Sequence, residues 1–492
     1  MSKLRSNVIY QAIYHVLAVC IPLVTSPYLS RVLGAEGLGI YSYNYSIVSY
    51  FMLFALLGVS TYGLRTISQS KGKAEVSRNF FGIYAFQLIS SGLALAVYVA
   101  FVALLIADPV SRTVCFVQIL YLVGECLSIN WLFFGLEKHK NIVLRNIIIK
   151  FLTVISIFLF VKEKGDVVAY IFILAFSHLL SNLIIWVYLK GCIVKAKIGW
   201  QDVRKHIKPN LILFIPALAA SVYHIMDKTM LGIFSDSTNS GYYYNADKLL
   251  NIPLVVVTGC SVVFLSRACA LAKQADTYQL KKTQDESIYF GMCLICAVAF
   301  GICAVAEEFV PFFFGAGYEP CIDLVKYFAV IVIVKTVSTH TRSVFLIPEN
   351  NDTSYAKAIT IGGLTNLVTN YVLIALWNLG ALGATLGTLI AEVMVAVLQI
   401  LFIRDKDSKR SCVGGILRSA AYLVLGGAML FVLELIPMAS LNMHMRLGLK
   451  VLVGAGVYLG GCAIVWKLWP ELMPDMIKET LVSVEKKLAL RS

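Results

Sequence analysis

The stretch "GYYYNADKLLNIP", residues 241–253, opens a run of apolar residues long enough to be buried in lipid, yet Asp247 and Lys248 sit side by side inside it. At 1.5 Å per residue the pair lies about 9 Å from the outer end of the run. A charge at such a depth costs about 3 kcal/mol or more, and so marks a place where the chain handles something polar. Other apolar runs carry comparable groups. Ser221, His224 and Lys228 share one helical face at i, i+3 and i+7, with Asp227 beside them, and Tyr244, Lys248 and Asn251 form another such group. Lys335 and Arg342 are seven residues apart, about 20° out of register, with Ser338 and Thr339 between them. Lys326 points the other way and should snorkel outward. Asn146, Lys150 and Thr153 share a face, and Glu125 and Glu392 each stand within an apolar run.

Two arrangements of these groups are consistent with the pattern. The charges could neutralise one another in structural pairs, Lys150 with Glu125, Lys335 with Glu392, and Asp247 with a neighbouring lysine. Alternatively Lys228, Lys248, Lys335 and Arg342 line a watery cationic cavity, which their clustering on single faces favours. Cations interleaved with Asn, Ser, Thr and Tyr suit a ligand that joins an anionic group to many hydroxyls, as a phosphorylated sugar does. The chain's 25 tyrosines bunch in "YSYNYSIVSYF" and "GYYYN"; they read as an interfacial aromatic belt, with stacking on sugar rings as the alternative.

The elements that must carry these residues follow from composition. Of 492 residues 59% are hydrophobic and only 14% charged, against about 25% charged in a soluble domain. The chain reads as an all-α polytopic membrane protein. About fourteen runs can each cross a hydrocarbon core as a helix. They lie near 7–30, 40–63, 80–106, 113–136, 142–161, 167–189, 210–233, 242–266, 288–310, 321–346, 353–376, 381–403, 414–436 and 447–469. Lys and Arg concentrate in the loops on the side of the N-terminus, as in "KGCIVKAKIGWQDVRKHIKPN" from Lys190, so both termini are expected in the cytoplasm. The net charge of +14 then belongs to a surface facing anionic lipid rather than nucleic acid. "IPENND", residues 347–352, is expected on that side although it holds Glu349 and Asp352 and no Lys or Arg. The first run lacks a cleavage site and reads as a retained helix. The one CxxC pair, Cys293 and Cys296, has no His or acid beside it, and no phosphate-binding loop is present; neither metal, cofactor nor enzymatic chemistry is indicated. Ile477, Leu481, Val484 and Leu488 share a face in the tail, 471–492, which is expected to lie on the inner leaflet as an amphipathic helix.

An internal repeat organises the runs. "LGAEGLGIYSYN" from Leu33 matches "LGIFSDSTNSGYYYNAD" from Leu231, and Arg65 follows Gly39 by 26 residues as Arg267 follows Gly241. Proline stands in the preceding helix of both copies, Pro22 and Pro27 in one and Pro216 in the other. Two pseudo-symmetric six-helix lobes, 1–195 and 196–406, are therefore expected, with two extra helices in 407–470. In such an arrangement a transported substrate sits at mid-membrane where the lobes meet.

Three runs resemble those of the Wzx-type polysaccharide flippases, a branch of the multidrug, oligosaccharidyl-lipid and polysaccharide (MOP) exporter superfamily. They are "PLVTSPYLSRVLGAEGLGIYSYNYSIVSYFMLFALLGVSTYGLR", "INWLFFGLEKHKNIVLRNIIIK" from Ile129 and "RSVFLIPENNDTSYAKAITIGGLTN" from Arg342. The resemblance implies a two-lobed bundle in the bacterial cytoplasmic membrane. It would move an undecaprenyl-diphosphate-linked oligosaccharide to the outer leaflet by alternating access, for capsule or O-antigen-like polysaccharide, alongside glycosyltransferases and a polymerase. The residues matching the family's lumenal cations are Arg31, Lys228, Lys248, Lys335 and Arg342, with Tyr244 and Asn251 beside them as further substrate contacts. Asp247, Glu125 and Glu392 are the candidates for ion coupling. The acidic "PENND" departs from the basic loop the family leads one to expect. A lipid II flippase or a multidrug cation antiporter of the same superfamily are the alternatives.

Overall fold

The computed structural model describes residues 2–437, 441–475 and 477–478, except the side chains of residues 2–19, Asn141, Pro216, Ala217, Ala219, Ala220, Val222, His224 and Leu250. Most of the expected tail helix therefore lies outside the described residues. Among them, eleven helical segments are long and apolar enough to cross a membrane. The chain divides into two compact units, Met1–Tyr244 and Asn245–Ser492.

The first unit contains α1 (Ser2–Leu56), α2 (Val59–Gln69), α3 (Gly72–Leu105), α4 (Pro109–Cys126), α5 (Asn130–Gly135), α6 (His139–Phe160), α7 (Val167–Ile184) and α8 (Trp200–Phe234). α1 holds two crossings, because Gly34 interrupts it at a φ of 69° that a residue with a Cβ adopts only at a cost. α4 and α5 together make one crossing, broken at residues 127–129. The break is sealed by Gln87 of α3, which donates to the carbonyls of Glu125 and Ser128 at 2.8 Å and accepts from Trp131 Nε1 at 3.0 Å. In a bilayer the freed carbonyls of a broken helix need such donors. α3 shows the lipid side of the same logic, with Leu93, Val97 and Leu104 exposed along one flank while Phe80, Ile83 and Tyr98 are buried.

α9 (Ser237–Gln274) begins in the first unit and continues into the second. The second unit adds α10 (Thr277–Phe314), α11 (Pro320–Thr341), α12 (Asp352–Asn370), α13 (Gly380–Leu401), α14 (Lys406–Leu435) and α15 (Met443–Leu468). α11 and α12 each end in a π-helical turn, Arg342–Leu346 and Tyr371–Leu376. Gln284 of α10 donates to the carbonyl of Val344 in the first of these turns at 3.0 Å, the counterpart of Gln87 at the α4 break. With α1 counted twice, α2 taken with the second half of α1, and α4 and α5 counted once, the helices match the fourteen expected runs.

α14 and α15 are fastened to α10. Lys450 Nζ meets Glu308 Oε2 at 2.8 Å with both side chains largely buried, and the Tyr458 hydroxyl donates to the carbonyl of Cys293. Below them the Tyr422 hydroxyl donates to the carbonyl of Leu472 at 2.6 Å, and Lys282 pairs with Asp475 at 2.6 Å, so the chain end just before the tail is held against the unit.

The two repeat copies touch within the first unit. A Cβ at Gly39 would fall 1.6 Å from the carbonyl oxygen of Ser237, and one at Gly241 would fall 1.8 Å from that of Ala35. Ala35 and Gly39 stand four residues apart, as do Ser237 and Gly241, so each small pair receives the other. Such pairs let membrane helices approach backbone to backbone.

Candidate functional site

Each unit holds its own group of the sequence-derived residues. In the first, Lys228 lies on α8 about 9 Å before the helix ends at Phe234. Its Nζ is 5.8 Å from the centre of the Tyr244 ring, within cation–π range. The neighbouring Asp227 is buried and accepts from the Tyr243 hydroxyl. Thr229 donates to Ser46 at 2.8 Å, tying this part of α8 to α1. Arg31 is exposed three residues before the Gly34 break. Ser221 is half-buried on the same helix as Lys228; the side chain of His224 lies outside the described residues.

Several tyrosines of this unit pack against one another inside it. Tyr41, Tyr121 and Tyr170 are buried, 8%, 4% and 3% exposed, and converge from α1, α4 and α7 with Tyr45 and Tyr244. Tyr41 lies 5.4 Å from Tyr45, 5.3 Å from Tyr170 and 5.8 Å from Tyr244, and Tyr45 lies 5.2 Å from Tyr121. The hydroxyls of Tyr41 and Tyr121 reach one another, as do those of Tyr170 and Tyr244. Packing of this kind leaves Tyr41, Tyr121 and Tyr170 no free face for a sugar, while Tyr45 and Tyr244 stay partly exposed. A tyrosine near a helix end serves equally well as a polar contact between helices, which the belt expectation did not include.

At its inner edge the cluster meets a second polar group. Tyr121 lies 5.3 Å from the His178 ring, and His178 Nε2 lies 3.1 Å from Glu125 Oε1. The described partner of Glu125 is thus His178 of α7, where the sequence suggested Lys150. Lys150 sits on the α6 face between Asn146 and Thr153, which contact Ser181 and Ser177 of α7 at 3.2 and 2.7 Å. Beyond His178, Arg145 Nη2 donates to Asn130 Oδ1 at 3.1 Å, Asn130 Nδ2 donates to Asn182 Oδ1 at 3.2 Å, and Asn182 Nδ2 lies 3.2 Å from His178 Nε2. Arg145 is only 3% exposed. Sequence reasoning missed His178, Arg145 and the tyrosine cluster. The signal for His178 was a lone titratable residue in an apolar run beside another run with a lone glutamate. Arg145 stood too close to the basic end of its run to be told from a loop charge.

α9 starts at Ser237, in the first unit and earlier than the tyrosine run suggested, so Lys248, in the second unit, lies about 16 Å along the helix instead of 9 Å. Asp236 shows why: its carboxylate caps the helix by accepting from the Asn239 backbone N–H at 2.6 Å and from Asn239 Nδ2 at 3.0 Å, so the short "SDST" stretch starts the helix instead of forming a longer loop. Asp247 and Lys248 are half-buried, and Asn251 donates to the Asp247 carbonyl and carboxylate at 2.9 and 3.1 Å, which binds it to the acid rather than to Lys248. Lys335 Nζ meets Glu392 Oε1 of α13 at 3.1 Å, with the glutamate side chain 4% exposed and the lysine 26%. Glu392 therefore neutralises Lys335 in this structure. Arg342, where the π turn begins, is exposed and stacks over the Tyr355 ring at 4.3 Å. Lys326 pairs with Glu307 at 3.0 Å, both partly exposed, away from these groups. In the 347–352 turn Asn351 donates to the carbonyl of Phe402, and burial pushes the Glu349 carboxyl up. Among the described residues no group of His, Cys, Asp and Glu could hold a metal ion.

Helices of this order are shared with transporters of known structure. A lipid II flippase, MurJ, in an inward closed conformation superposes with a TM-score of 0.73 over 94% of this chain and 99% of that chain, at 14% identity. An inward-facing MATE-family multidrug transporter of the MOP superfamily gives 0.63 over 82% of this chain and 95% of that one, also at 14% identity. The fold is that of the MOP exporters, a multi-pass membrane protein with no β-strand among the described residues. The chain is also similar to a protein of Escherichia coli (strain K12) named for O-antigen transport, with 24% identity over 409 residues, 82% of this chain and 97% of that protein. Residues 4–265 match the model of the polysaccharide biosynthesis protein family. The chain belongs to that family.

Proposed function

We propose that this protein moves an undecaprenyl-diphosphate-linked oligosaccharide from the cytoplasmic to the outer leaflet by alternating access. What supports the reading is the family's link to polysaccharide together with lysines held well inside the helices, Lys228 against Tyr244 in one unit and Lys335 against Glu392 in the other. An intramembrane cation is retained for an anionic ligand or an ion pathway. In this proposal Arg31, Lys228, Lys248, Lys335 and Arg342 attract the diphosphate, Tyr244 and Asn251 add contacts, and Asp247, Glu125 and Glu392 are the acids available for ion coupling. Both termini are cytoplasmic, and the repeat-based lobes, 1–195 and 196–406, are the bodies that rock. Moving about two negative charges outward across 100 mV, inside negative, is favourable by about 4 to 5 kcal/mol, so no nucleotide is consumed. Glycosyltransferases supply the substrate and a polymerase takes it up.

The test is substrate choice in vesicles containing the purified full chain. Transport of undecaprenyl-diphosphate oligosaccharide that exceeds that of lipid II and of an organic cation dye is the expected result. Faster transport of either competitor would replace this reading with the corresponding alternative.

A further inference from the structure

The nitrogen His178 Nε2 in the first unit faces two groups that use it in opposite ways. Asn182 Nδ2, 3.2 Å away, can donate to it while also donating to the His178 carbonyl at 3.3 Å, whereas Glu125 Oε1, 3.1 Å away, needs a donor. The amide orientation is not arbitrary. Arg145 can only donate, so it fixes Asn130 Oδ1 as the acceptor; Asn130 Nδ2 then donates to Asn182 Oδ1, which leaves Asn182 Nδ2 turned to the imidazole. An imidazole with its proton on Nδ1 satisfies Asn182. An imidazolium satisfies Glu125 by a charge-assisted bond. Each protonation state of the ring thus has a partner already in place.

We propose that His178, set between Glu125 and the Arg145–Asn130–Asn182 chain, is the proton-binding residue of this flippase, and that binding of a lipid diphosphate at Lys228 is coupled to its protonation. The proposal rests on the reading of a diphosphate substrate given above. The connection from Lys228 to His178 is continuous: Tyr244, Tyr41, Tyr45 and Tyr121 follow one another by ring contacts of 5.2–5.8 Å, and Tyr45 lies in the fields of both Glu125 and Lys228. The other titratable and charged groups around the pair are Cys126 on α4, Tyr170 on α7, and Lys150 and Arg145 on α6; α3 contributes the uncharged Gln87. With the groups at Lys228 included, the acids are Glu125 and the buried Asp227, which accepts from Tyr243, and the cations are Lys228, Lys150 and Arg145. An anion arriving at Lys228 lowers the local positive potential and so favours the imidazolium. By reciprocity protonation then tightens the anion, and one coupled proton changes affinity by at most about tenfold per pH unit. Arg145 is a positioning residue: it aims the amide chain at His178 and does not itself meet the ligand.

The experiment measures binding of undecaprenyl diphosphate to the purified full chain at pH 5.5, 6.5 and 7.5, with proton uptake on binding followed by an indicator dye in weak buffer. The ligand's own titration is common to every form and cancels in the comparison. Wild type and Lys326→Ala are expected to share one pH slope, while His178→Gln and Glu125→Gln bind with a flatter slope and take up fewer protons. Should Glu125→Gln fail to fold, His178→Gln, whose side chain is 29% exposed, carries the same comparison. Arg145→Lys, which keeps the charge and loses the fork, should shift the pH midpoint without abolishing binding. Identical slopes and proton counts in wild type and His178→Gln overturn this proposal alone. No binding to any form at any pH overturns the diphosphate reading, and this proposal with it.

Discussion

Lys335 shows why an intramembrane cation cannot be interpreted from its position alone. Its partner Glu392 is almost completely buried, so truncating the lysine strands a charge that costs about 3 to 5 kcal/mol. Lys335→Ala is expected to lower the amount of folded protein for that reason, before any effect on substrate. Combining it with Glu392→Gln removes the stranded charge. Thermal stability in detergent should recover toward wild type in the double variant while flipping stays reduced, if Lys335 also meets the substrate. Full recovery of both would make the pair purely structural. The sequence supplied this pair as one of two alternatives, but it could not supply Glu125 with His178. A histidine counts as neutral in a charge census, and nothing in one span says which neighbouring span it faces. The same limit hid Lys450 with Glu308, because Glu308 stands at the outer end of its run, where an acid looks solvated.

At the scale of elements, hydropathy was a good guide to where helices lie and a poor guide to where they break. The fourteen runs correspond to helices, yet the bend of α1 depends on the positive φ of Gly34, and the α4–α5 break and the first π turn are met by Gln87 and Gln284, whose partners lie far along the chain. The start of α9 was misplaced for a related reason: "SDSTNS" looks like a loop until Asp236 is seen to cap it. The repeat, in contrast, predicted more than it claimed. Gly39 and Gly241 were picked out only as markers of register, and each turns out to lie against the backbone of the other copy. Gly39→Ala or Gly241→Ala must push those backbones apart, an overpacking that typically costs about 1 to 3 kcal/mol. Either variant is expected to insert but melt lower in detergent, and Gly92→Ala, where a Cβ meets open space, should not. Equal melting of all three would show that the close approach contributes nothing to stability.

For the whole molecule, the membrane class, the helical architecture and the family were readable from composition, run length and three motif stretches. The substrate's chemistry was legible only as a surplus of cations in apolar runs, and it is this surplus that the account must defend. Lys228 faces the Tyr244 ring and Lys248 is half-buried within α9, whereas Lys326 is paired with Glu307 toward the start of α11. Removing one partner of a desolvated charge interaction costs about 2 to 5 kcal/mol, or at least tenfold in rate or affinity. The most direct measurement is therefore flipping of undecaprenyl-diphosphate oligosaccharide in vesicles by wild type, Lys228→Ala, Lys248→Ala and Lys326→Ala at matched protein levels. The account predicts at least a tenfold loss for Lys228→Ala and for Lys248→Ala, and near-normal transport for Lys326→Ala. Normal transport by both of the first two, or a loss in Lys326→Ala as large as theirs, would contradict it.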